Sequence, residues 1–306
     1  MTPLEIRPLD GAGAEILGAN LGATTVGEWN QIEAAFAAFG AIFFPDQLLN
    51  EEETNAFASR WGTVTPAPEA TGPEFQGWQA DRSFLPFPPL GSVNTPLGGA
   101  RAPRIRLASM YAAFDGLTTG TQNALEALSA THTSPDGNLE TTHPVVIRHP
   151  ISGRKSLFVN PSSTTAVVGM DDVASMALLN ELFSHCQADE FVVEAECEPG
   201  CLALIDHRAM LRYFYDDSGA GSQFQTVSIA GCALAPAVRP DKSDRSLTQK
   251  AAATLAGGII TAAMAGIAEV MEPEKRKQQD IEIVSDAPER EPLDADFDFG
   301  DLPPLD

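Results

Sequence analysis

The chain has 306 residues, 43% of them hydrophobic, with 16 Phe, 23 Pro and 25 Gly, and a formal net charge of −23. Such a length and apolar share can bury a full core, and the turn-forming residues suit one sheet-rich domain with an appendage. The charge argues against nucleic acid or an anionic membrane surface as a partner, since both are recognised by clustered Lys and Arg. Met1-Thr-Pro-Leu-Glu-Ile-Arg7 opens without a basic-then-apolar leader, which gives a cytoplasmic expectation.

Residues 4–20 alternate loosely around Gly11, Gly13 and Gly18, a short strand with turns. From Thr25 to Phe39, Trp29, Ile32, Phe36 and Phe39 recur at three- and four-residue steps, an amphipathic helix ended by Gly40. Ala41–Phe44 is a short buried strand, and Asn50-Glu-Glu-Glu53 opens a second helix with a good N-cap and an acidic first turn, running to about Trp61. Between Gly62 and Arg101 the Pro and Gly density rises and no helical period survives, so this stretch reads as long binding loops. Leu107–Leu117 leads into a helix near Thr121–Ala130. His143–Asn160 gives two strands about a turn at Ser152-Gly153, and Asp171–Cys186 is another helix. Phe191–Ile205 and Gln225–Ala235 read as strands. Helices flanking many short strands point to an α+β, mainly β fold, a jelly-roll sheet pair with helical support.

Four cysteines, Cys186, Cys197, Cys201 and Cys232, are too few for a disulfide framework, and Cys197-Glu-Pro-Gly-Cys201 has no second ligand pair, so it reads as a turn with reduced thiols. His132 and His185 stand singly, in a loop and at a helix end. Ala251–Ala268 holds eighteen residues without a charge. Its Ala, Gly and Thr drive insertion weakly, so it reads as a helix packed on the domain or on a second subunit, with a membrane anchor as the alternative. Asp280–Asp306 carries ten acids against Arg290 and reads as a disordered acidic tail, whose Asp294–Leu305 alternates acids with Phe and Leu as a docking peptide would. The division is therefore residues 1–238 for the sheet domain, 239–279 for a linker and apolar helix, and 280–306 for the tail.

Several motifs occur in order: Leu4-Glu-Ile-Arg-Pro-Leu9, Ala41–Gln47, Phe57–Gly62, His143–Asn160, Pro199-Gly200 and Ala203–Arg208. Together they resemble the taurine dioxygenase (TauD/TfdA) family of Fe(II)- and 2-oxoglutarate-dependent oxygenases, over residues 4–235. The resemblance implies a double-stranded β-helix and iron held by two histidines and a carboxylate. The matching stretch is Trp78-Gln79-Ala80-Asp81, which keeps the carboxylate and has Gln79 for the first histidine. The distant histidine matches Arg212, whose protonated guanidinium has no lone pair to give. His207 is a rescue ligand only if the site is rebuilt, because it lies five residues early. At the positions for 2-oxoglutarate, Ile105 stands for the threonine, Thr226 for the arginine and Ser222 for a nearby second arginine.

The resemblance thus points to a degenerate member: a pseudoenzyme with the vestigial metal site Gln79, Asp81 and Arg212, no cofactor, and a binding, regulatory or partner role. Asp81 and Arg212 either pair across the site or Arg212 points to solvent. The alternatives are an unusual oxygenase acting on a small organic acid, with Fe(II) and 2-oxoglutarate, and a membrane-associated protein anchored through 251–268. Partner expectations are a protein docking on the C-terminal helix and tail, a second copy of the chain, or a small organic anion held by Arg82, Arg104 or Arg106. Strand alternation aims the last two away from Ile105.

Overall fold

The computed structural model describes residues 4–66, 77–97, 102–214 and 224–237. Strands β1 (Glu5–Pro8) and β2 (Ala14–Leu17) pair antiparallel and lead to helix α1 (Val26–Phe39). Thr25 accepts from the Glu28 N–H while the Glu28 carboxylate takes the Thr25 N–H, and Gly40 ends the helix in the left-handed conformation. Strand β3 (Ala41–Phe44) follows, then helix α2 (Glu51–Ser59), whose Asn50 and Glu53 form a second capping box. Next come β4 (Val64–Pro66), β5 (Gly91–Pro96), β6 (Arg104–Ser109), α3 (Met110–Asp115) and α4 (Thr119–Glu126). Strands β7 (Ser129–Thr133), β8 (Glu140–Pro144), β9 (Val146–Arg148), β10 (Lys155–Leu157) and β11 (Thr164–Val167) precede α5 (Asp172–Cys186). The described part closes with β12 (Val192–Glu196), β13 (Leu202–Asp206), β14 (Met210–Phe214), β15 (Phe224–Ile229) and β16 (Ala235–Pro236).

The large sheet has the order β1-β2-β3-β13-β5-β15-β4, and the sheet that completes the site has the order β12-β6-β14. Alternation along the central strands divides the core. Ile42, Phe44, Leu202 and Leu204 pack outward beneath α1 and α2 with Trp29, Ile32, Phe36 and Phe57. Ala41, Phe43, Ala203 and Ile205 face the interior and meet Ile105, Leu107 and Met210 of the smaller sheet. Each fully buried large side chain contributes about 1.5–3 kcal/mol relative to exposure, so these two layers hold the sheets face to face. A third cluster, with Phe114, Leu125, Leu179, Leu182 and Leu211, lies behind the smaller sheet against α3, α4 and α5. Mostly strands with a few flanking helices is the jelly-roll class that the pattern implies.

The structure corrects the sequence reading in three places. The stretch read as loops between Gly62 and Arg101 contains β4 and β5. In β5 only Val93 packs toward the helices, while Ser92 and Asn94 turn polar groups inward, so the apolar alternation of a strand is absent. His132 lies on β7, fully buried, because Ser-Ala-Thr-His-Thr alternates inward at Ala130 and His132. The segment after Leu107 makes two helices, and α4 stops at Glu126. The predicted linker, apolar helix and tail, 239–306, lie outside the described residues.

Candidate functional site

Strand β14 runs antiparallel to β6, with Arg212 opposite Leu107. Along β14, Leu211 packs behind the sheet and Met210 packs in the interior, so the period of two turns Arg212 inward rather than to solvent. Gln79 and Arg212 exchange both backbone hydrogen bonds at 3.0 Å, forming a bridge that lays the Trp78–Asp81 segment along β14. Two residues beyond Gln79, Asp81 starts a turn in which Arg82 takes a left-handed φ of 48°, a costly conformation for a residue with a Cβ.

Arg212 closes on Asp81. Its Nε donates to Asp81 Oδ1 at 3.1 Å, Nη2 donates to the same oxygen, and the guanidinium carbon lies 4.4 Å from the Phe214 ring centroid. The Arg212 side chain is 4% exposed and that of Asp81 18%. Burial raises the Asp81 pKa, but the charge of Arg212, then His207, and the Arg212 hydrogen bond outweigh it, so the carboxyl titrates below the ordinary aspartate value. His207 follows β13, with its N–H on Leu90 O at 2.9 Å. Its Nε2 lies 2.9 Å from Ser92 Oγ and 3.6 Å from Asp81 Oδ2. Burial lowers the His207 pKa to about 4; Arg212 and Arg208 act in the same direction, against Asp81 and Asp206. The imidazole is neutral at pH 7.

Beside it, Asp206 Oδ1 accepts from the Arg208 N–H at 2.8 Å and Oδ2 lies 2.7 Å from His149 Nε2, which anchors the His207 turn to the signature segment. Buried Arg208 donates to Pro88 O and Cys232 O. At Gly231 a Cβ would collide with Pro88 O and Arg208 Nη2, so the chain passes there only without a side chain. His143 braces Leu85 O at 3.0 Å, and His185 does the same for Ala113 O at 2.7 Å.

Gln79, Asp81, Arg212 and His207 are therefore brought together. Ile105 is fully buried in the apolar interior. Thr226 donates to Asn94 Oδ1 at 3.0 Å, and Ser222 lies outside the described residues. Arg104 pairs with Glu194 and Arg106 lies over Trp78, both on the face of β6 opposite Ile105. Ser92 and Asn94 belong to the site and the sequence reading missed them; polar residues flanking an isolated valine in a Gly-Ser-Val-Asn-Thr-Pro strand were the available signal.

This donor set does not fit iron(II) or a dicarboxylate. Asp81 offers oxygen and Gln79 an amide, and Arg212, which the motif resemblance sets at the distant ligand position, carries positive charge and no lone pair. Among the described residues no group of three or more His, Cys, Asp or Glu side chains could hold a metal ion. A 2-oxoglutarate carboxylate at Thr226 would meet a hydroxyl already donating to Asn94.

Residues 5–211 match the family described as "Taurine catabolism dioxygenase TauD, TfdA family". An alpha-ketoglutarate-dependent dioxygenase of Penicillium expansum is 33% identical over 148 residues, 42% of this chain and 41% of that protein, so the match spans about two fifths of that relative's length. The (S)-phenoxypropionate/alpha-ketoglutarate-dioxygenase of Sphingobium herbicidovorans is 26% identical over 261 residues, 69% of this chain and 89% of that protein. The crystal structure of a taurine dioxygenase from Burkholderia xenovorans superposes with a TM-score of 0.68 at 25% identity, covering 78% of this chain and 94% of that one. These findings bear out the double-stranded β-helix. They also overturn the expectation that no cofactor is involved: the matched relatives are named for dependence on alpha-ketoglutarate, so the class is a cofactor-dependent one.

Proposed function

The chain belongs to the taurine dioxygenase TauD/TfdA family, and from that premise we propose that it is a pseudoenzyme acting as a binding, regulatory or partner subunit. One observation carries the reading: the Arg212 guanidinium sits on the Asp81 carboxylate inside the site. A fixed internal cation there neutralises the one carboxylate that the family pattern retains. The pair is preformed and buried, so releasing Asp81 would strand a guanidinium away from water at a cost of several kcal/mol.

Turnover tests this. The full chain incubated with iron(II), 2-oxoglutarate and oxygen is expected to release no succinate above a protein-free control, and stoichiometric iron with steady succinate release would overturn the proposal. A second reading, an oxygenase with a rebuilt donor set, is favoured by His207, whose Nε2 stands 3.6 Å from Asp81 Oδ2. The same assay on the His207→Gln variant separates the two, since only the rebuilt oxygenase loses activity.

The partner proposals rest on residues 239–306, through the apolar segment and the Asp294–Leu305 alternation. Cytoplasmic residence belongs to the same proposal, supported by Cys186, Cys197, Cys201 and Cys232 standing as free thiols. No helix among the described residues is long and apolar enough to cross a membrane, and 251–268 lies outside them. Sedimentation of the full chain with membranes, lost on deleting 251–268, would support the anchoring alternative.

A further inference from the structure

The interior polar groups form one series, hydrogen-bonded at every link except the 3.6 Å contact between His207 and Asp81. Thr226 on β15 donates its hydroxyl to Asn94 Oδ1 at 3.0 Å, and Asn94 Nδ2 donates to Ser92 Oγ at 2.9 Å. Ser92 Oγ lies 2.9 Å from His207 Nε2, which stands 3.6 Å from Asp81 Oδ2, and Asp81 Oδ1 accepts from Arg212 Nε at 3.1 Å. The series crosses from the large sheet to the small one. Ser92 and Asn94 are fully buried, and two atoms in the series have no partner: His207 Nδ1 and Arg212 Nη1.

The Asp81 carboxylate selects the imidazole tautomer. A neutral ring carries one N–H. Ser92 Oγ already accepts from Asn94 Nδ2, so each tautomer leaves one donor unmet among the described residues, the ring Nδ1–H in one and the Ser92 O–H in the other. With Nδ1 protonated, the bare Nε2 turns its lone pair toward Asp81 Oδ2 at 3.6 Å; with Nε2 protonated, the N–H donates to Ser92 Oγ and faces that carboxylate, which is the favourable arrangement. We infer that His207 is held as the Nε2–H tautomer and is the positioning residue that couples the Asp81–Arg212 pair, through Ser92 and Asn94, to Thr226 on the opposite sheet.

The coupling has a direction at each link. The Ala203 and Ser92 carbonyls, which only accept, fix the Asn94 amide with Nδ2 toward them, and Oδ1 is left to accept from Thr226. Ser92 Oγ receives two N–H donors, from Asn94 and from His207. Loss of the Thr226 hydroxyl leaves Asn94 Oδ1 without its donor, which weakens the polarisation of Nδ2 toward Ser92, and the change reaches the imidazole two residues further along the series. These hydrogen bonds and the His207–Asp81 contact hold whether or not the chain turns over a substrate.

Side-chain 15N spectra of the full chain at pH 7 test it, with five histidines to resolve and His207 assigned by the signals that His207→Gln removes. The expected result is a protonated Nε2 and a bare Nδ1 at His207. Thr226→Val is expected to shift the His207 signals more than those of the other histidines, whereas Thr226→Ser, which keeps the hydroxyl, leaves them in place. A protonated Nδ1 in the unsubstituted chain would overturn the inference without any variant. So would His207 signals unmoved by Thr226→Val in a folded protein, which is what a packing role alone gives.

Discussion

Replacing Arg212 with Met keeps most of the side-chain volume and removes the cation, leaving Asp81 buried and uncompensated. The carboxylate then has one escape, protonation. Holding a neutral aspartic acid at pH 7 costs about 1.4 kcal/mol for each of the roughly three pH units above its ordinary value, so this route bounds the loss near ~4 kcal/mol. Water at the 18% of the Asp81 side chain that remains exposed reduces this, and the lost guanidinium contact with Phe214 adds a smaller amount. The expected destabilisation is about 3–4 kcal/mol at pH 7, within the range for breaking a buried pair. At pH 5 only about one unit separates the solution from the unfolded value, and the loss falls to about 1–2 kcal/mol. The complementary change, Asp81→Asn, strands a guanidinium that cannot deprotonate, so its cost stays level between pH 5 and 7. Urea unfolding of the three proteins at both pH values measures all of this as differences in midpoint at constant slope. A cost for Arg212→Met below about 1 kcal/mol at pH 7, or one that does not shrink on acidification, refutes the reasoning.

Acid should destabilise the chain before its carboxylates protonate. Burial lowers His207 to about 4 and His132 to about 3, with His143 lowered as well. These rings stay neutral when folded and take up protons when unfolded, so their stability contribution is full above about 6.5 and is lost as pH falls toward about 4. Melting temperature is expected to fall steadily over that window, and a flat profile would contradict the burial of these rings. Gly91→Ala drives a methyl into the Ile205 carbonyl across the β5–β13 ladder, and the expected loss is about 1–3 kcal/mol, read from the urea midpoint.

Local chemistry made much of the fold legible. The spacing of Trp29, Ile32, Phe36 and Phe39 and the cap at Asn50 announce their helices, and Ala41–Phe44 is a strand at the residues that its composition marks. Strand β5 was illegible because a strand facing a polar interior carries hydroxyls and amides where the rule seeks apolar side chains. His132 was misplaced for a related reason, since its burial depends on Ser83 Oγ, which lies 3.0 Å from its Nδ1 and arrives from a turn 49 residues away. Gln79, Asp81 and Arg212 could be set at one site only through the motif resemblance. That Arg212 faces inward follows from its register between Met210 and Phe214, which a single sequence does not disclose until β14 is paired with β6.

A crystal structure of the full chain would show the Gln79, Asp81 and Arg212 segment itself. The buried Asp81–Arg212 pair requires continuous density for the guanidinium on the carboxylate, with His207 within hydrogen-bonding distance of Ser92. Arg212 turned out toward solvent, with Asp81 facing an open or metal-filled site, would contradict it.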